Sequence, residues 1–191
     1  EIARESVSAG ADMLGVAFLD EAVQLRRGGI EAPILVLGYV PPEGFSVARE
    51  LDISVAMFRE DALEAAARPG ARPLRVHVKV DTGMGRLGVL PEEAVRFVER
   101  AMRTPGVEVE GLFTHFARAD EADKSYTRLQ HERFAAVTEA VRRRGLDIPL
   151  IHLGNSAAGI DTPEWTGGML RLGIGMYGLY PSAEVGKTRV E

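Results

Sequence analysis

The 191-residue chain contains no cysteine. This absence excludes disulfide bonds, thiolate catalysis and metal sites built on cysteine. No apolar run reaches the length of about 18 residues that a membrane-spanning helix needs, and the first residues, EIARESVSAGADM, lack the apolar core of a signal peptide. We therefore expect a cytoplasmic protein with no membrane partner.

Positive charge is also scarce, because 23 lysines and arginines face 28 acidic residues and leave a net charge of −5. This balance argues against nucleic acid and anionic membranes as partners. Only three of the basic residues are lysines, namely Lys79, Lys124 and Lys187. Since arginine cannot replace a lysine amine in covalent chemistry, the position of each lysine is informative.

The chain alternates short apolar runs with longer amphipathic segments, in a composition that is 46% hydrophobic and 27% charged. This pattern predicts seven strands separated mostly by helices, as in parallel βαβ units. The predicted strands are residues 13–18, 33–38, 53–58, 74–80, 109–115, 150–153 and 169–177.

The α/β pattern favours a (β/α)8 TIM-type barrel, which needs eight strands in about 250 residues. The chain opens on a predicted helix, and a right-handed crossover would place a strand before it. We therefore expect a barrel whose first strand is missing from this chain, with residues 1–182 as the partial barrel and residues 183–191 as the start of a linker. An open, doubly wound sheet would accommodate seven strands as well, although it would place a ligand at one switch point.

The most informative stretch is residues 74–88, LRVHVKVDTGMGRLG. Its strand is apolar on one face and carries His77, Lys79 and Asp81 on the other, which suits side chains that point into the mouth of a barrel. The glycine-rich turn ends near Arg86, whose guanidinium group suits a carboxylate or a phosphate. The alternative is a solvated edge strand followed by a glycine turn.

Polar groups also follow other predicted strands, and barrel active sites draw on several strand ends in this way. Ser156 offers a hydroxyl group and backbone amides for an anion, and Gly173 lets backbone amides approach closely. The alternative to an anion site is structural: residues 155–156 would cap a helix, and Gly173 would avoid a steric clash. The candidate site residues are Lys79, Arg86, His115, Asn155, Ser156, Arg171, Gly173 and Ile174.

Several runs resemble the N-terminal barrel of bacterial alanine racemases, and together they cover nearly the whole chain. The matching runs are VAFLDEA (16–22), APILVLG (32–38), KVDTGMGRLG (79–88), GLFTHFARADEADKSYT (111–127), HLGNSA (152–157) and RLGIGMYGLYPS (171–182). The resemblance implies an enzyme that uses pyridoxal 5′-phosphate to interconvert L- and D-alanine for peptidoglycan synthesis. It also implies a homodimer and a C-terminal β domain after the linker.

The resemblance assigns a role to each candidate residue. Arg171 would hydrogen-bond the pyridine nitrogen of the cofactor, which keeps the ring a weak electron sink and suits racemisation. His115 would lie by the ring and contact Arg171, and Arg86 would bind the substrate carboxylate. The cofactor-phosphate region would contain Asn155, Ser156, Gly173 and Ile174, with Tyr177 and Tyr180 in packing or phosphate-side roles.

Lys79 is the only lysine on a predicted strand and so the obvious candidate to form a Schiff base with the cofactor. The resemblance implies instead that Lys79 is carbamylated and pairs with Arg86, because a carbamate would turn the repulsion between two cations into a charged hydrogen bond. The Schiff-base lysine of the family lies in a first-strand run resembling VKANAYGHG, and the second base is a tyrosine of the partner subunit's C-terminal domain. Neither is present here, so we expect no catalytic base in this chain and no activity from it alone.

Three other functions remain open at this stage. A non-catalytic carrier barrel would bind pyridoxal phosphate without a covalent link, and a racemase could act on serine or on a broader set of amino acids. A purely structural barrel is disfavoured because polar residues collect at several strand ends.

Overall fold

The structure is a computed structural model that describes residues 1–68 and 72–186. Its helices are α1 (Ile2–Ser8), α2 (Leu19–Arg27), α3 (Phe45–Glu50), α4 (Glu60–Ala66), α5 (Pro91–Arg103), α6 (Ser125–Arg143) and α7 (Ser156–Asp161). Its strands are β1 (Leu14–Val16), β2 (Ile34–Val36), β3 (Ser54–Met57), β4 (Leu74–Lys79), β5 (Val107–Phe113) and β6 (Leu150–His152). Short 3₁₀ helices occupy Pro42–Gly44, Pro163–Trp165 and Ile174–Tyr177.

In the described part of the chain, six parallel strands form one sheet in the order β1-β2-β3-β4-β5-β6. Each strand pairs with the next one in sequence, for example Leu14 with Ile34 and Gly111 with Leu150. Helices connect the strands, which is the βαβ arrangement that the sequence pattern predicts. The α/β class and the parallel strands are therefore confirmed. No helix within the described ranges is long and apolar enough to cross a membrane.

The chain divides into two compact units. The first comprises residues 1–78 and 99–110, apart from the three undescribed residues between 68 and 72. Its core contains the whole of β2 and β3, whose residues are all buried. Burial of both faces explains why these strands read as continuous apolar runs rather than as alternating ones.

The second unit comprises residues 79–98 and, in its described part, residues 111–186. Its longest helix, α6, buries Phe134, Val137 and Val141 at helical spacing. Ahead of this helix, Asp123 accepts a hydrogen bond from the Ser125 amide at 2.8 Å, which satisfies one of the free donors at the helix start. All the candidate site residues lie in this second unit.

The seventh predicted strand, residues 169–177, is wrong. Only Arg171 makes a strand-like bridge, with Asn155, and residues 174–177 form a 3₁₀ helix. The reason is that the Gly173 and Gly175 amides donate to the Ser156 hydroxyl oxygen, at 2.9 and 3.2 Å, instead of to a neighbouring strand. The apolar residues that suggested the strand are largely exposed, Leu172 by 49% and Ile174 by 44%.

Residues 182–186 pack within the second unit. Val185 is 1% exposed, and the Gly186 amide donates to Asp161 at 2.9 Å. The remaining predicted linker residues, 187–191, lie outside the described residues.

Candidate active site

Arg171 is held in place through its guanidinium group. Its Nη2 donates to the carbonyl oxygens of Thr114 and Leu153, both at 2.8 Å. Its Nη1 lies 2.7 Å from Nδ1 of His152, and its guanidinium carbon, Cζ, lies 5.4 Å from the centre of the Phe113 ring. Burial lowers the pKa of Arg171 to about 10, so the side chain remains a cation and a pure hydrogen-bond donor at neutral pH.

Two histidines lie beside this arginine. The Nδ1 atoms of His152 and His115 lie 2.7 and 3.4 Å from Arg171 nitrogens. Because arginine can only donate, Nδ1 of His152 accepts from Nη1 and is unprotonated, which leaves the proton of this ring on Nε2. The longer contact of His115 is to Nη2, whose two N–H groups already donate to the carbonyl oxygens of Thr114 and Leu153. Burial lowers the pKa of His115 to about 4, with further contributions from the charges of Arg171, Lys79 and Arg86. His115 is therefore neutral at physiological pH.

Lys79 ends β4 and is only 6% exposed. Its Nζ lies 5.3 Å from the centre of the Phe113 ring, the ring that Arg171 also faces. The pKa of Lys79 is lowered to about 8. Burial is the largest cause, the charges of Arg86 and Arg171 add to it, and the charge of Asp81 partly opposes them. At pH 7 about a tenth of this amine is therefore unprotonated and nucleophilic, far more than for an ordinary lysine.

The loop after β4 is folded around one carboxylate. Asp81 accepts hydrogen bonds from the amides of Gly83 and Gly85, both at 3.0 Å, and from the amide of Arg86 at 3.1 Å. These bonds fix the backbone from which the exposed Arg86 side chain projects. No hydrogen-bond or ion-pair partner of that side chain is found within residues 1–68 and 72–186. The alternative of a solvated edge strand is excluded, since β4 lies between β3 and β5 in the sheet.

The candidate phosphate region joins α7 to the segment after Arg171. The Asn155 side chain caps α7 by accepting from the Ala158 amide at 3.0 Å. The Ser156 hydroxyl oxygen accepts from the amides of Gly173 and Gly175, so its own proton remains available to an anion. A methyl group added to Gly173 would meet only this oxygen, at 4.0 Å, which shows that the space beside the hydroxyl is open.

The structure therefore forms two groups from the predicted residues. Lys79 and Arg171 both face the Phe113 ring, His115 lies beside Arg171, and the charge of Arg86 acts on Lys79 and His115. Asn155, Ser156 and Gly173 form the second group, and the exposed Ile174 begins the 3₁₀ helix beside it. Tyr177 is 60% exposed and does not pack in the core of the described chain.

Sequence reasoning missed several functional contacts, of which His152 is the clearest. It is fully buried and stacks on Phe113 with ring centres 4.7 Å apart. The signal was present, since a histidine at the end of an apolar strand is placed like the polar residues that were selected. The other missed residues are Phe113, Thr82, Thr114, Gln130 and Gly175.

These contacts define a class of protein. Lys79, His115 and His152 lie at or just after the ends of parallel strands, and Arg171 is hydrogen-bonded to the ends of two of these strands, as the reactive groups of α/β enzymes are placed. Residues 1–181 match the model of the family described as alanine racemase, N-terminal domain. The chain belongs to this family.

Individual comparisons agree with this assignment. An alanine racemase of Desulforamulus reducens is 44% identical over 193 residues, covering 99% of this chain and 52% of that protein. The structure of an alanine racemase from Clostridium difficile 630 in complex with cycloserine matches with a TM-score of 0.93 at 36% identity, covering 100% of this chain and 53% of that one. A histidine racemase from Leuconostoc mesenteroides subsp. sake matches with a TM-score of 0.91 at 30% identity, covering 100% and 52%. The chain thus spans about half the length of the relatives it matches.

Proposed function

We propose that this chain is the N-terminal part of an amino-acid racemase that uses pyridoxal 5′-phosphate to interconvert L- and D-alanine. The observation that carries the proposal is the environment of Arg171, a permanently protonated donor held by two carbonyl oxygens and the neutral His152. When bound, the cofactor supplies an electron sink for the substrate's α-carbon. Beside an arginine its pyridine nitrogen stays unprotonated, so the sink is weak, and a weak sink favours return of the proton over transamination.

The residues present fit this cofactor. Arginine has more N–H donors than the described contacts of Arg171 use, so an acceptor such as a pyridine nitrogen can still be bound. We place the phosphate at the Ser156 hydroxyl group and the Ile174 amide, beside Asn155 and Gly173, whose own amide is used to hold the Ser156 oxygen. We assign His115 to the cofactor ring, where its lowered pKa keeps it neutral beside Arg171.

We propose that Arg86 binds the carboxylate of the amino acid and that Lys79 carries a carbamate paired with Arg86. The lowered pKa of Lys79 supports the modification, because only an unprotonated amine can react with carbon dioxide. In that reaction the amine nitrogen bonds to the carbon of carbon dioxide and releases one proton. The product replaces the repulsion between two cations by a charged hydrogen bond.

The bases that move the α-proton are proposed to lie outside this chain. Lys124 is a poor candidate for the covalent lysine because its Nζ donates to Ala119, Glu121 and Asp161, each at 2.7 Å. We assign the covalent lysine to a preceding first strand that would complete a (β/α)8 barrel, and the second base to a tyrosine of the partner subunit in a homodimer. Residues 1–182 would then be barrel and residues 183–191 the start of a linker to a C-terminal β domain, in a cytoplasmic enzyme that supplies D-alanine for peptidoglycan.

The amino-acid specificity has a second candidate. The likeness to a histidine racemase, with 100% of this chain covered, supports this second candidate, because that protein is named for an amino acid larger than alanine. We therefore propose racemisation of another amino acid, serine included, as the alternative to alanine. A carrier barrel that binds pyridoxal phosphate without catalysis is a further alternative, which the family membership disfavours.

The test is a pair of measurements on the full-length protein. Pyridoxal phosphate binding is followed by absorbance, and formation of the opposite enantiomer is followed by chiral chromatography with L-alanine, L-serine and L-histidine in parallel. We expect cofactor binding and the highest kcat/KM with alanine. Binding without turnover of any amino acid would favour the carrier, faster turnover of serine or histidine would replace the substrate, and no binding would refute the proposal.

A further inference from the structure

One face of α6 reaches the two loops that carry site residues. Tyr126 donates from its hydroxyl group to the Gly83 carbonyl oxygen at 2.8 Å, and Arg133 donates from Nη1 to the Thr82 carbonyl oxygen at 2.9 Å. Gln130 lies between them, four residues after Tyr126 and three before Arg133, which places all three on one side of the helix. We call Tyr126, Gln130 and Arg133 the α6 clamp.

Gln130 is the member of the α6 clamp that contacts both loops. Its Nε2 donates to the Thr82 hydroxyl oxygen and to the His115 carbonyl oxygen, each at 3.2 Å, and its Oε1 accepts from the Ala117 amide at 2.8 Å. The side chain is fully buried. The carbonyl partner requires the amide nitrogen and the N–H partner requires the amide oxygen, so the orientation of this side chain is fixed by its contacts.

The same contacts link α6 to Thr114. The hydroxyl oxygens of Thr82 and Thr114 lie 2.8 Å apart, and both residues are buried. The Thr82 oxygen accepts from Gln130 and can also exchange a hydrogen bond with Thr114. The Thr114 carbonyl oxygen accepts from Arg171, so this residue contacts both the Gln130 network and the fixed arginine.

We propose that Gln130 is a positioning residue that sets the loop bearing Arg86 against the loop bearing His115. The first loop is tied at Thr82, one residue after the Asp81 carboxylate that orders the Arg86 amide. The second is tied on either side of Phe116, at His115 and Ala117. A buried amide that satisfies three partners at once couples its neighbours more strongly than separate exposed contacts would. The kinetic part of this inference rests on the proposed racemase function, whereas the structural part does not.

The experiment compares variants of the full-length protein by amide hydrogen exchange and by kinetics at saturating pyridoxal phosphate. Gln130→Leu removes all three bonds, and Thr82→Val removes the bond from Gln130 to the first loop together with the contact between the Thr82 and Thr114 hydroxyl groups. The control is Thr127→Val on the same helix, since Thr127 is equally buried and its hydroxyl has no hydrogen-bond partner in the described structure. Gln130→Glu keeps an acceptor for the Ala117 amide but loses the Nε2 donor to the Thr82 hydroxyl and the His115 carbonyl.

We expect Gln130→Leu to raise exchange in residues 81–88 and 115–118 together by about tenfold, the factor that the net free energy of one buried hydrogen bond produces. Thr82→Val should raise exchange only in residues 81–88, Gln130→Glu should restore protection of Ala117, and Thr127→Val should change neither loop. In alanine racemisation, Gln130→Leu should lower kcat/KM by about tenfold with the cofactor still bound, and Thr127→Val should not.

Unchanged exchange in both loops of Gln130→Leu would overturn the inference, as would equal effects of Gln130→Leu and Thr127→Val. If Gln130→Leu does not fold, Thr82→Val and Gln130→Glu decide the question, because each leaves at least one bond of the Gln130 side chain in place. Lack of alanine turnover by the unaltered protein would refute the proposed function and leave the exchange test of Gln130 intact.

Discussion

Gly83 offers the sharpest test of how the loop after β4 is built. Its φ of +140° lies in a region that side chains rarely adopt. A Cβ atom at this position would lie 2.5 Å from the Tyr126 hydroxyl oxygen and 3.3 Å from Nη1 of Arg133. Gly83→Ala therefore forces both a strained backbone and a displacement of Tyr126.

The expected loss of stability in Gly83→Ala is the sum of these two costs. A residue held in a disfavoured backbone region costs about 1–3 kcal/mol, and loss of the hydrogen bond from Tyr126 to the Gly83 carbonyl costs about 1 kcal/mol. We expect Gly83→Ala to destabilise the protein by about 2–4 kcal/mol, which lowers the Tm by about 4–16 °C for a domain of this size. The assay is thermal unfolding of the full-length protein, followed by circular dichroism at a fixed scan rate.

Gly85→Ala is the matched control, two residues further along the same loop. Gly85 also has a positive φ, +71°, but a Cβ atom there would meet nothing within 4 Å. We expect it to cost only about 1 kcal/mol, the price of a left-handed backbone alone. Equal Tm values for the two variants would refute the argument. On a Tyr126→Phe background the effect of Gly83→Ala should shrink, because the closest atom is gone.

Three further changes test the electrostatics of the second unit. Because burial lowers the pKa of His115 to about 4 from 6.5, the unfolded chain binds this proton first as the pH falls. Stability should therefore drop by up to about 3 kcal/mol between pH 6.5 and 4, and His115→Gln should flatten this slope in urea titrations. Asp81→Asn removes the carboxylate that raises the pKa of Lys79, so an NMR titration should find that pKa below about 8. Lys124→Met leaves the partly buried Asp161 carboxylate without its cation. We expect the free energy of unfolding to fall by about 2–3 kcal/mol and proteolysis at residues 182–186 to become faster.

Each of these expectations has an outcome that contradicts it. An unchanged pH slope in His115→Gln would mean that another group causes the acid sensitivity. A higher pKa of Lys79 in Asp81→Asn would contradict the sign of the interaction. The control for Lys124→Met is Arg142→Met, which removes an exposed pairing with Glu139 and should leave the free energy of unfolding almost unchanged. Similar losses in both variants would exclude a special role for Lys124.

The local sequence pattern was sufficient to predict elements whose buried residues recur at a regular spacing. The helical spacing of Phe134, Val137 and Val141 predicts α6, and the alternation from Leu74 onward predicts β4. The pattern was misleading at residues 169–177, where apolar side chains suggest a strand. There the amides of Gly173 and Gly175 bond to Ser156, a residue distant in sequence, and no local periodicity contains that information.

The candidate site shows the same division. The residue types and their places after predicted strands pointed to Lys79, His115, Ser156 and Arg171. Their charge states could not be read from the sequence, because these depend on burial and on neighbours from other strands. The tautomer of His152, for example, follows from a contact with Arg171, 19 residues away.

The sequence by itself determined the parallel α/β class, the family resemblance and most of the polar residues at the strand ends, since these depend on residue identity and short-range spacing. Only the tertiary structure decided that His152 supports Arg171, that Phe113 lies between two cations, and that Gln130 ties two loops together. These features are hydrogen bonds and close contacts between segments far apart in the chain. Their energies depend on distance and desolvation, and both are properties of the packed molecule.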